Sequence, residues 1–177
     1  MQRAPILYVG LVGVGKTACV KAQYNGYISA EILSGWMPED ILGLPVNPKD
    51  KSQAVVRLRP DWHVRICRVA ESTVERVCLF FDELDKARRD VADACLTLIQ
   101  EREIGGWKLP DNVDIAAAAN PPSVGGGDGI SDAMRTRFRI VEFVPNVSQW
   151  VKWARAEFKK SPGALAVIDA IAHGELP

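Results

Sequence analysis

Three glycines, a lysine and a hydroxyl sit at telling intervals in Gly10-Leu11-Val12-Gly13-Val14-Gly15-Lys16-Thr17, a Gly-x-x-x-x-Gly-Lys-Thr spacing. Glycine lets consecutive backbone N–H groups turn inward around a phosphate chain, which side chains would obstruct. The N–H groups of Val12, Gly13, Val14, Gly15, Lys16, Thr17 and Ala18 are the expected cradle, with Gly10 opening the turn. Lys16 can reach the β- and γ-phosphates and the Thr17 hydroxyl can ligate magnesium. A glycine-rich turn that binds nothing is the bland alternative. It is disfavoured because the apolar run Ile6-Leu7-Tyr8-Val9 precedes the loop and a helical stretch follows it, and a helix N-terminus adds positive potential at the same point. A nucleoside triphosphate with Mg²⁺ is the expected ligand.

Acids come next. Val77-Cys78-Leu79-Phe80-Phe81 is a continuous apolar run that ends on Asp82 and Glu83. Such a run is expected as a strand buried on both faces of a parallel sheet, and open α/β sheets hold ligands at the C-terminal ends of their strands. Asp82 is then placed to hold magnesium through water, and Glu83 to polarise an attacking water; two acids that merely end a strand are the alternative. Asn120 follows Ile115-Ala116-Ala117-Ala118-Ala119. Its uncharged amide can orient water or bond the γ-phosphate, although Asn before Pro121-Pro122 is also a good turn starter.

These residues need a scaffold, and the pattern supplies one. Apolar runs near 5–10, 27–33, 77–82, 113–119 and 138–144 alternate with helical stretches, the signal for an α/β parallel sheet covered on both faces. The clearest helix is expected from about Arg88 to Glu101, where Val91, Ala94, Cys95, Leu98 and Ile99 form one apolar stripe. Residues 36–60 are rich in Pro, Gly and Asp and suggest an extended loop with a short insertion. The basic cluster at Arg57–Arg68 is expected as a solvated or pore-facing segment. Ile104-Gly105-Gly106-Trp107 suggests a hairpin, and Gly125-Gly126-Gly127 a mobile stretch. From Pro145 the character changes. Ser148 is the expected cap of a helix carrying Trp150, Trp153, Ala154 and Phe158 on one face, ended by Pro162 and Gly163 and followed by a helix over 164–172.

The phosphate loop, Phe-Phe-Asp-Glu-Leu-Asp-Lys-Ala at 80–87, Ala-Ala-Ala-Asn-Pro-Pro at 117–122 and Met-Arg-Thr-Arg-Phe at 134–138 occur in the order found in AAA+ ATPases. More narrowly the chain resembles the MoxR-like, dynein-related branch of bacterial and phage type, over roughly residues 5–160. Pro38–Pro45 and Glu101-Arg102 with Leu109–Val113 also resemble that branch. The resemblance implies a P-loop NTPase (AAA+) three-layer sandwich, an α/β fold with a five-stranded parallel sheet of order 5-1-4-3-2 followed by a partial helical lid. The expected boundaries are a nucleotide-binding core over 1–145 and lid residues 146–177. It further implies ATP and Mg²⁺ as ligands, Asn120 as the first sensor and Arg137 as the arginine finger with Arg135 as runner-up. A homo-oligomeric, hexameric ring follows, acting on a protein substrate or beside a von Willebrand A-domain partner. Similar ATPases project the hairpin toward the ring pore, which makes Trp107 a candidate substrate contact; packing of Trp107 on its own domain is the equal alternative.

Two departures stand out. Val12 replaces the proline common before the middle glycine of the loop, with little expected loss because valine supplies the same N–H. The lid stops before the half that carries a cis arginine in relatives, so the chain is expected to be a fragment or a compact variant completed by another subunit. Lys plus Arg (22) equals Asp plus Glu (22), which argues against a nucleic-acid partner. No apolar stretch reaches membrane-spanning length, no signal peptide is evident, and Cys19, Cys67, Cys78 and Cys95 lack metal-site spacing; a reducing cytoplasm is the expected compartment. The leading functional expectation is a ring-forming ATPase that remodels a protein. The alternatives are an ATP-dependent assembly module with little hydrolysis and a nucleic-acid motor or loader.

Overall fold

The five apolar runs form one parallel sheet in a computed structural model that describes residues 3–47, 55–124, 130–144 and 146–174. Its strands are β1 (Ile6–Val9), β2 (Ile28–Ile32), β5 (Val77–Asp82), β8 (Val113–Ala119) and β9 (Arg139–Glu142), ordered β2-β5-β8-β1-β9. The remaining strands are short ribbons: β3 (Pro45–Val46) with β4 (Val56–Arg57), and β6 (Glu103–Ile104) with β7 (Trp107–Lys108). Counted among themselves from the β9 edge, the five sheet strands read 5-1-4-3-2. The expected glycine run Gly125–Gly127 lies outside the described residues.

Alternate residues of the central strands feed two separate cores, one on each face. Leu7, Leu79, Phe81, Ile115 and Ala117 belong to one; Tyr8, Cys78, Phe80, Ala116 and Ala118 belong to the other. That period of two explains why the runs are apolar without alternation: both faces are covered. It also explains the alanine run of β8. Ala116 pairs with Phe80 and Ala117 with Phe81 on one side, while Ala117 and Ala118 pair with Leu7 and Tyr8 on the other. Small side chains in the central strand leave room for the large ones beside them, as close packing requires.

Helix α1 (Lys16–Gln23) brings Val20 to one face. The other face receives α3 (Asp61–Glu71) and α4 (Arg89–Glu101). In α4 the buried residues are Val91, Ala94, Cys95, Leu98 and Ile99, the stripe read from sequence. Helix α3 corrects in part the expectation of a solvated or pore-facing segment at 57–68. Its apolar side buries Trp62, His63, Ile66 and Cys67, whereas Arg57, Arg59, Arg65 and Arg68 are exposed as a solvated cluster would be. Arg65 bonds Glu31 at 2.7 Å, and Arg59, just before the helix, donates from Nε to His63 Nδ1 at 2.9 Å. Short α2 (Pro38–Leu42) fills part of the stretch expected as loop.

The hairpin forms as expected, with Gly105 and Gly106 both at positive φ in its turn. Trp107, however, lies against its own domain. A Cβ on Gly105 would come within 2.5 Å of its ring, Gly43 sits beside the same ring, and the His63 ring is 6.5 Å away. Packing, the alternative weighed for this residue, is what the geometry supports. Trp107→Ala is therefore expected to destabilise the domain by about 2 kcal/mol, less than the roughly 3–5 kcal/mol of a fully buried Trp. Urea unfolding of the variant checks this, and an unchanged midpoint would return Trp107 to the candidate substrate contacts.

The chain divides into two compact units, Met1–Phe143 and Val144–Pro177. Within the second, α6 (Val147–Glu157) and α7 (Pro162–Ala172) bury Val151, Ala154 and Ile168 against one another. Two expectations need correction here. Asn146, not Ser148, caps α6, accepting from the Gln149 N–H at 3.0 Å. Pro162 starts α7 instead of ending α6, because its fixed φ and missing N–H suit a first helical position. Trp150, Trp153 and Phe158 remain exposed. No helix among the described residues is long and apolar enough to cross a membrane.

Candidate functional site

The turn between β1 and α1 is shaped by its glycines. Gly13 and Gly15 hold φ of 80° and 92°, a left-handed geometry costly for other residues. Gly10 is needed for a different reason: a Cβ there would sit 2.5 Å from the Phe143 carbonyl oxygen. No side chain caps the start of α1, and its first turn holds no acid. The first N–H groups of the helix are therefore left for an anion.

Lys16 is buried beneath the loop, with Nζ donating to the Gly10 and Leu11 carbonyls at 2.6 and 2.8 Å. Burial pulls its ammonium pKa below the ordinary lysine value, and Asp82 and Asp85 oppose that shift. The Thr17 hydroxyl donates to Asp82 Oδ2 at 2.7 Å. Phosphate loop and acidic strand thus meet at the pair of oxygens picked from sequence as magnesium ligands. An all-oxygen set suits a hard divalent cation.

Glu83 follows Asp82 with φ of 55°, uncommon for a side-chain-bearing residue. This turns its carboxylate toward Lys86, 2.8 Å away. The bond to Lys86, then one from Ser34, holds its pKa below the usual glutamate value, so it is ionised at neutral pH. Asn120 leaves the end of β8 beside it, where its backbone N–H and side-chain Nδ2 both donate to Asp85, at 3.1 and 3.0 Å. Residues 12–18, Asp82, Glu83, Asp85 and Asn120 line one cleft of about 400 Å³. Phosphate loop, both acids and the Asn120 amide are brought together.

Arg137 is elsewhere. It is exposed at the end of α5 (Asp132–Arg135), a helix capped by Ser131 as expected. Its Nη1 donates to Ala133 O at 3.2 Å and Thr136 Oγ1 at 2.8 Å. With the Gln100 amide turned so that oxygen faces the guanidinium, Nε and Nη2 donate to it at 3.2 and 3.0 Å. Arg135 is exposed too. Sequence reasoning overlooked Asp85, Lys86 and Ser34. The first two stand in the quoted stretch 80–87, but nothing in their spacing says which atoms they bond.

A parallel sheet of this order, with a phosphate loop after β1 and an acid pair ending β5, defines a P-loop NTPase of the AAA+ class. The chain belongs to the dynein-related subfamily of AAA domains, whose pattern matches residues 5–138. It is an AAA+ ATPase domain. Among solved structures, 684 chains match, so the fold by itself says little about a partner. One is a RuvB mutant from Thermotoga maritima, 17% identical with a TM-score of 0.54. That match covers 88% of this chain and 44% of the other, so this chain spans less than half of that structure's length. No curated protein sequence matches it.

Proposed function

We propose that the chain hydrolyses ATP with Mg²⁺ as a MoxR-like module of bacterial or phage type, and that it works in a homo-oligomeric ring that remodels a protein partner. The observation that carries hydrolysis is the 2.7 Å bond between Thr17 and Asp82 in a cleft that Glu83 and Asn120 also line. A divalent cation held by Thr17 and Asp82 would offset phosphate charge, while Glu83 is placed to draw a proton from water and Asn120 to orient that water. What supports a ring is the place of Arg137, outside the cleft and on the surface of its unit. A guanidinium there can serve a neighbour's γ-phosphate. Residues 1–145 act as the core and 146–177 as part of a lid in this reading. A von Willebrand A-domain protein is the partner class that the resemblance suggests, and the absence of excess positive charge favours protein over nucleic acid.

One observation favours a second reading, ATP-dependent assembly with little turnover: Glu83 is engaged by Lys86 and Ser34. Single-turnover hydrolysis at high protein concentration separates the two, with mass in solution measured with and without ATP and Mg²⁺. Hydrolysis together with nucleotide-dependent assembly supports the first reading; assembly alone supports the second. In either case Lys16→Ala is expected to weaken ATP binding by about 100-fold or more, because bonds from a cation to phosphate are worth roughly 1.5–3 kcal/mol each. Calorimetric titration measures it, and near-parental affinity would sink the assignment of the loop.

A further inference from the structure

We infer that Asp85 is a positioning residue for hydrolysis, setting which end of the Asn120 amide meets the attacking water; the inference rests on the proposed hydrolytic reading of this site.

Asp85 is 3% exposed, yet no described lysine or arginine forms an ion pair with it. Lys16 acts on it only through space, and a buried carboxylate without a direct ion pair is costly; Asp85 offsets that cost with two N–H bonds from a single residue. One comes from the Asn120 backbone at 3.1 Å and the other from its side-chain Nδ2 at 3.0 Å. The backbone bond anchors the end of β8. The side-chain bond does something else.

A carboxylate has only acceptors to offer. The amide nitrogen of Asn120 must therefore face Asp85, and its oxygen is turned to the other side of the planar group. Among the described residues that oxygen accepts no hydrogen bond. Both residues line the phosphate cleft. The oxygen is thus committed as an acceptor, the group needed to hold a water by one of its protons while Glu83 takes the other. An unrestrained amide would flip between presenting nitrogen and presenting oxygen, and would be correctly set only part of the time. Asp85 removes that freedom before ATP arrives, which is preorganisation of the kind that lowers a barrier without adding a catalytic group.

Asp85→Asn separates orientation from anchoring. The new amide oxygen can still accept the Asn120 backbone N–H, so the strand end is kept. Its nitrogen now needs an acceptor, which the Asn120 oxygen supplies only after the Asn120 amide has flipped. The variant also removes one negative charge from a cleft built for phosphate. The expected result is a split: ATP affinity equal to or tighter than the parent, with kcat lowered by about 10–100-fold. In an Asn120→Ala background, Asp85→Asn should lower kcat no further, since its effect passes through Asn120. A kcat within twofold of the parent, or an equal loss in both backgrounds, overturns the inference. If Asn120→Ala alone hydrolyses normally, the reading of Asn120 as a hydrolytic group fails first, which is a distinct outcome. NMR of the unaltered protein gives a test that needs no variant to fold. The Asn120 side-chain amide protons should be widely separated in shift and exchange slowly with solvent, whereas a freely exchanging pair overturns the inference.

Discussion

Glu83→Gln is expected to bind ATP as tightly as the parent and to hydrolyse it at least about 100-fold more slowly, the usual contribution of a general base. The change leaves shape and hydrogen-bonding reach intact and removes only the negative charge. It should leave the fold intact as well. The ion pair it loses, to Lys86 at 2.8 Å, lies at the surface, where such pairs contribute about 0–1 kcal/mol. In the parent that pair, with Ser34, depresses the Glu83 pKa. The base is then already ionised at neutral pH, and as pH falls its activity is kept through the ordinary carboxylate range, about 4.3 for glutamate, before it declines. The acid limb of kcat/KM should sit correspondingly low. Steady-state turnover and calorimetric titration of parent and variant decide the matter, and equal turnover would remove Glu83 from the mechanism.

Much of this site was legible because its motifs are local. Gly10 to Thr17 and Asp82-Glu83 each lie in one unbroken stretch after an apolar run, and parallel-strand geometry forces both to the same edge of the sheet. The 3.6-residue stripe of α4 was legible for the same reason. Contacts between stretches were not. Helix α3 was hidden because its buried face includes Trp62, His63 and Cys67 among arginines, so composition suggested a basic surface although the buried spacing is helical. Trp107 could not be placed from sequence, since the surfaces that receive its ring, at Gly43 and His63, lie far from it in the chain and belong to other elements. Asp85 stands three residues after Asp82 in plain sight, but its importance lies in an amide 35 positions later. In the second unit, Asn146 outcompeted Ser148 as the cap of α6 because helix starts shift by one or two residues among several competent side chains.

Arg137→Ala should be nearly inactive while leaving its own nucleotide site intact. An arginine supplied in trans is worth about 10³–10⁵ in rate, or roughly 4–7 kcal/mol of barrier. The bonds it would lose at home, to Ala133, Thr136 and Gln100, are at the surface, so any cost in stability is small beside that. Arg135→Ala serves as the control: it should keep most of its activity, and the reverse pattern would transfer the finger to Arg135. Mixing settles whether the group acts across subunits. Arg137→Ala retains the carboxylate of Glu83, and Glu83→Gln retains the arginine. Where the first holds ATP and the second stands as its neighbour, both intact groups meet at one phosphate. Random assembly of equal amounts makes such interfaces roughly a quarter of the total, so partial hydrolysis should return from two inactive proteins. If mixed assembly is verified by mass and the mixture stays as inactive as its parents, Arg137 does not act on a neighbour's ATP.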